Sequence, residues 1–195
     1  MSVRLLRRRF TVDDYHRMVE AGILSDDDRV ELIDGEIIEM VAIGSRHAAC
    51  VDRLARLCSA GVRNRAIVRV QNPILLSEHS EPQPDLALLR PRRDFYAAGH
   101  PGPQDILLVV EVADTSAETD REIKLPLYAR AGIPEVWVVA LAETHVEAHR
   151  KPSPGGYRTS NGSNAINRWP RVLCRMSCWP WTTSSGRRIG QAGTA

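Results

Sequence analysis

Apolar positions along this chain follow two periods. Ile106 to Val110 (ILLVV) is an unbroken apolar run, the composition of a strand covered on both faces. PEVWVVAL, from Pro134 to Leu141, has the same character, whereas HVEAHRK alternates like a half-exposed edge strand. RVELID and EIIEMVA flank Asp34-Gly35, a strong short-range hairpin signal. Ala66 to Gln71 and Ile74 to Leu76 are strand-like, with Pro73 marking a break or an edge, and LALLR follows Asp85.

Three stretches change to helical spacing. Thr11 caps VDDYHRMVEAGIL, Asp13 and Asp14 favour its first turn, and Gly22 can end it. In GSRHAACVDRLARLC, from Gly44 to Cys58, Ala48, Val51, Leu54, Ala55 and Cys58 share one face and the arginines take the other. After Glu111 comes a polar turn, then a helix capped by Thr115 or Ser116, with Glu118 and Asp120 in its first turn. Pro126 implies a kink or a less regular start, and Gly132 ends it. Pro91 to Gln104 is a loop. Strands interleaved with helices predict an α/β or α+β domain with a mixed sheet.

Composition narrows the class. A chain of 195 residues, 43% hydrophobic and 26% charged, supports one globular domain with a real core. Four arginines near the N-terminus are followed by no apolar segment, and the longest apolar run is far too short to span a membrane, so a cytoplasmic protein is expected. Cys50 and Cys58 fall in a helix, and Cys174 and Cys178 have no second pair, so reduced thiols rather than a metal site are expected. The net charge of +2 hides an asymmetry. Ser160 to Ala195 holds five arginines and no acid, which leaves 21 basic against 24 acidic residues before it, a net of −3.

Candidate chemistry centres on Glu31, Asp85, Glu111 and Lys124. Glu111 ends a buried strand and needs a partner there. Asp85 opens another strand. If the strands are neighbours, both carboxylates point into one cleft, and a hard divalent cation relieves their repulsion. A nearby lysine can orient water or neutralise developing charge. Each residue also has a bland alternative: Asp85 as a strand-start residue, Lys124 as the i,i+4 partner of Asp120, Glu31 as a solvated hairpin acid, and His47 as a structural histidine.

PQPDLALL, ILLVVEVADTS and DREIKLPLYARAGIPEVWVV, with upstream VELIDGEII and the helix carrying His47, resemble the Uma-two family of restriction-endonuclease-like proteins in the PD-(D/E)XK nuclease superfamily. The resemblance spans roughly Arg9 to Arg158. It implies a restriction-endonuclease-like mixed central sheet flanked by helices. It further implies phosphodiester hydrolysis with Mg²⁺ (or Mn²⁺), held by Asp85, Glu111 and the Val112 carbonyl. The superfamily's usual lysine position is Ala113 here, and Lys124 on the next helix takes its place. Glu31 matches a hairpin glutamate at the edge of the site. The implied partner is nucleic acid, taken as DNA, with no membrane; many such enzymes act as dimers, so a homodimer is compatible. The competing expectation is a non-catalytic module of the same fold, or a degenerate gene product.

From Ser160 the sequence departs from that family. With GC-rich codons, MSCWPWTTSS read one base out of frame becomes DVVLAVDDLL, the acidic-apolar ending the family leads one to expect. A frameshift would explain the missing acids, the excess tryptophan and the lost periodicity together. Residues 1–159 are therefore taken as the nuclease-like domain and 160–195 as an atypical, poorly ordered tail.

Overall fold

A computed structural model describes residues 8–25, 27–114 and 120–164. Helix α1 (Val12–Glu20) starts with a reciprocal capping box between Thr11 and Asp14, as its sequence predicts. Strands β1 (Val30–Ile33) and β2 (Glu36–Glu39) form the expected hairpin. Asp34 and Gly35 adopt φ of +48° and +80°, the left-handed pair of a tight hairpin turn. A side chain at Gly35 would also strike Arg9, since an added Cβ would sit 2.5 Å from the Arg9 Cβ.

Helix α2 runs Ser45–Val62, one turn beyond the expected end, and a 3₁₀ turn at Arg63–Arg65 leads into β3 (Ile67–Val70). The remaining strands are β4 (Leu86–Leu89), β5 (Ile106–Ala113), β6 (Glu135–Ala140), β7 (His145–Ser153) and β8 (Gly156–Asn164). They form a six-stranded sheet in the order β3-β4-β5-β6-β7-β8, with β5 and β6 parallel and the other pairs antiparallel. This is the mixed sheet flanked by helices that the pattern predicted.

The apolar runs end up where their composition requires. Every residue of β4, β5 and β6 is buried. One face of the sheet packs Leu86, Leu88, Leu108, Val110, Val112, Trp137 and Val139 against Val51, Leu54, Cys58 and Val62 of α2. The other packs Ala87, Val109, Val136 and Val138 against Leu125, Leu127 and Tyr128 of helix α3 (Leu125–Arg130) and against Ile33 of the hairpin.

Three local expectations shift. Ile74 to Leu76 is extended but forms no ladder strand. Its amides bond across a reversal, Ile74 to the Pro82 carbonyl and Leu76 to that of Ser80. HVEAHRK is not an edge strand, because β8 pairs along β7 and takes the edge; β8 also continues to Asn164, past Thr159. The helix after β5 becomes regular at Leu125, preceded by a π-helical turn, Asp120–Lys124, as the proline at position 126 suggested. The cap expected at Thr115 or Ser116, the cysteines at 174 and 178 and the rest of the tail lie outside the described residues. Among the described residues no helix is long and apolar enough to cross a membrane.

Candidate active site

The parallel pair β5–β6 opens a cleft at the C-terminal end of β5, and the sequence sends acids there. Leu86 opposes Val110, so Asp85 and Glu111 lie one step beyond the last pair of the β4–β5 ladder. A cavity of about 310 Å³ occupies this end, and Glu31, Asp85, Glu111, Val112 and Lys124 all line it. The five residues singled out in the sequence therefore converge on one wall.

They form two linked groups. In the first, Glu111 is buried, 3% exposed, and accepts a hydrogen bond from the Tyr128 hydroxyl at 2.5 Å. Lys124 Nζ lies 3.1 Å from Glu31 Oε1 and 3.5 Å from Glu111 Oε1. Glu31, also buried, takes a further hydrogen bond from the Gln83 amide at 3.0 Å. Glu31, the candidate whose alternative reading was a solvated hairpin acid, is thus held inside by a lysine from another element. In the second group, the Val112 amide donates to Asp85 Oδ2 at 2.8 Å, and Gln71 Nε2 donates to Oδ1 at 3.2 Å. His47 Nε2 sits 3.1 Å from Asp85 Oδ2. The Asp85 hydrogen bond holds the His47 imidazole above its ordinary pKa, against the opposing effect of burial.

Local structure explains these positions. A strand's amide and carbonyl point the same way at one residue, so the Val112 carbonyl faces the Asp85 side, where β4 has not yet begun. Lys124 and Tyr128 are four residues apart and reach the same carboxylate, as helical spacing allows. Ala113, the usual lysine position of the superfamily, is buried against the α3 layer. Helix α2 begins at the cavity with Gly44 as its N-cap. It has no side-chain cap and no acid in its first turn, so its first amides carry uncompensated partial positive charge.

Sequence reasoning underrated His47 and passed over Tyr128, Gln71 and Gln83. For His47 the signal was its place in the first turn of a helix whose apolar face points at the sheet. The glutamines carried none, because their roles depend on the end of β3 and the loop between β3 and β4 returning to the same place. The two described cysteines stay out of the chemistry. Burial pushes the Cys50 thiol up to about 11 and Cys58 up to about 12, so neither supplies a thiolate.

The cavity's charge decides what it can bind. Glu31, Glu39, Asp85, Glu111 and Asp114 face it against two fixed cations, Arg29 and Lys124, a net of −3 with His47 left aside. Such a lining repels a phosphodiester unless a cation enters with it. Among the described residues no three His, Cys, Asp or Glu side chains stand in metal-ligating geometry.

Comparison with known proteins adds the following. The profile of the Uma2 family, described as "Putative restriction endonuclease", matches residues 12–173 and so runs past Ser160. The fold is similar to that of a protein of the DUF820 group from Anabaena variabilis, whose crystal structure is described as that of a "putative nuclease". The TM-score is 0.61 at 14% identity, covering 87% of this chain and 98% of that one. No curated protein matches the chain.

Proposed function

Because this chain belongs to the Uma2 family, we propose that it is a metal-dependent endonuclease that hydrolyses phosphodiester bonds in DNA. The observation that carries this reading is the cavity lined by Asp85, Glu111 and Lys124, whose lining side chains sum to a formal charge of −3 with His47 left aside. Its donors, two carboxylates and a strand carbonyl, are the hard oxygens that Mg²⁺ or Mn²⁺ prefers. Mg²⁺ commonly takes only one or two protein carboxylates and fills its remaining positions with water and phosphate oxygens, so this donor set fits it. Asp85, Glu111 and the Val112 carbonyl would hold the ion, and when bound it supplies charge stabilisation at the phosphate.

The chain's own residues divide the remaining work. Lys124 places a cation beside the carboxylates, where it orients the attacking water and offsets charge developing on the phosphate. Glu31 fixes the Lys124 ammonium from the hairpin side and positions the water. Tyr128 holds the Glu111 carboxylate in one orientation. His47 and Gln71 do the same for Asp85.

One observation favours a second reading, a nuclease fold that binds without cutting. Both oxygens of the Asp85 carboxylate already accept hydrogen bonds within the protein, Oδ1 from Gln71 and Oδ2 from the Val112 amide, and His47 Nε2 lies beside Oδ2. The test is cleavage of linear and plasmid DNA with Mg²⁺, with Mn²⁺ and with EDTA, beside calorimetric titration of each metal. Metal-dependent cleavage that is lost in Asp85→Ala and in Glu111→Ala supports the enzyme. Absence of both a binding site and cleavage supports the module.

A further inference from the structure

The outward face of α2 has no task in the chemistry described so far. Between Ser45 and Val70 there are six arginines, at 46, 53, 56, 63, 65 and 69, and one acid, Asp52. Arg53, Arg56 and Arg63 are exposed. At 100° per residue, positions 46, 53 and 56 fall within about a quarter of the helix circumference, opposite Val51, Leu54 and Cys58, and Arg63 follows at the C-cap, where φ is +51°.

Clustering on one element sets this face apart. Other arginines are matched with acids, Arg17 with Asp14, Arg92 with Asp94, Arg121 with Glu143 and Glu147, and Arg130 with Asp34, while the exposed Arg8, Arg9, Arg29 and Arg93, which form no ion pair among the described residues, are scattered over separate segments. The guanidinium groups of Arg53, Arg56 and Arg63 make no ion pair or hydrogen bond with any described residue. Three unneutralised guanidinium groups thus stand on a domain whose residues before Ser160 sum to −3. The same helix opens at its N-terminus into the cavity, where Gly44 and His47 are lining residues.

We propose that the Arg53–Arg56–Arg63 face of α2 is a docking track for the phosphate backbone of duplex DNA, leading it to the cavity at the N-terminus of that helix. This rests on the nuclease reading above and assigns the part of the molecule that grips the substrate. Arg53 to Arg63 covers about 15 Å of helix axis, or roughly four base steps of a strand rising 3.4 Å each. Charge complementarity selects the occupant, since guanidinium groups match phosphate oxygens in pairs. It also divides the labour. The anionic cavity cannot hold a phosphodiester by itself, so affinity is supplied along the helix.

The test is fluorescence-anisotropy binding of a labelled DNA duplex to the full chain in EDTA over a range of salt concentrations. The variant Arg53→Gln/Arg56→Gln/Arg63→Gln removes the charges while keeping the polar stems. It is expected to bind roughly 100-fold more weakly near 0.1 M salt, and the slope of log affinity against log salt should fall by about 3. The matching Lys triple should recover most of the slope. A control triple with the same charge loss, Arg17→Gln/Arg130→Gln/Arg158→Gln, should leave the slope nearly unchanged. Equal slopes for the wild type and the α2 variant, or equal losses in both Gln triples, would overturn the track, as would an acidic protein being the true occupant, which leaves the DNA slope untouched. Because binding is read without metal, loss of cleavage in Asp85→Ala tests the site independently of this result.

Discussion

Two glutamates, Glu111 and Glu135, are each 3% exposed on the neighbouring parallel strands β5 and β6, yet they differ in their surroundings. Glu135 is clasped by the Arg150 guanidinium, with Nε at 2.6 Å and Nη2 at 2.5 Å, and it also accepts from the Trp137 indole. That is a planar, two-pronged pair, which satisfies the carboxylate away from the cavity. Glu111 faces the cavity and shares a lysine with Glu31. Burial of an acid therefore does not mark a site. A site is marked by acids that converge faster than fixed cations do.

Substitutions can break this contrast. The largest effect belongs to the cavity acids: Asp85→Ala and Glu111→Ala should each lower DNA cleavage by roughly three orders of magnitude, about 4 kcal/mol of transition-state stabilisation. Cleavage kinetics within a few-fold of wild type would place the chemistry elsewhere. Arg150→Ala should do the opposite. It strands a buried carboxylate and should cost roughly 3 kcal/mol of stability, reduced from the fully buried case because Arg150 is partly exposed, while the rate per folded molecule stays the same. Urea unfolding measured beside cleavage separates the two effects, and a rate that falls with stability intact would erase the distinction between these glutamates. Lys124→Met should slow cleavage about 100-fold, or about 2.7 kcal/mol, with little change in DNA affinity. A binding defect of the same size would assign Lys124 to substrate docking instead.

The smallest effect sharpens the structural side. Burial raises the Glu147 carboxyl, but hydrogen bonds and charge from Arg121 and His149 outweigh this and hold its pKa below the usual value. A depressed folded pKa means that the folded state releases this proton more readily than the unfolded chain. The contribution is therefore present above the ordinary glutamate pKa and fades as pH falls through the lower folded value. Glu147→Gln should flatten that acid limb and cost about 0.5 to 1 kcal/mol near neutral pH. Denaturation curves in which wild type and variant stay parallel down through the acid range would show that the pair contributes nothing.

The arginines repeat the lesson on the surface. Arg121 and Arg130 are tied to acids, and on α2 Arg46 pairs with Asp114 whereas Arg53 and Arg56 do not pair. Helical spacing alone separated the apolar face of α2 from its arginine face. Which arginines find acids depends on what packs beside them.

Much of the molecule was legible before any coordinates. Ile106–Val110 and PEVWVVAL were readable as buried strands because continuous apolar runs of that length have few other places to go. Asp34-Gly35 specified its hairpin through left-handed backbone, and Thr11 specified its cap, because both act within four residues. Asp85, Glu111 and Lys124 were nameable from their motif. The edge position of β8, the irregular run at Ile74–Leu76 and the company of the acids were not. They depend on strand order and on loops that return from far along the chain. The Lys124–Glu31 pair joins residues 93 positions apart. Local chemistry determined which residues form strands, caps and turns, since those energies are set by near neighbours. Only the packing of α2, α3 and the hairpin onto one end of the sheet decided that Glu31 is buried and that Glu111 faces a cavity, and only the register of β6 against β7 decided that Arg150 neutralises Glu135.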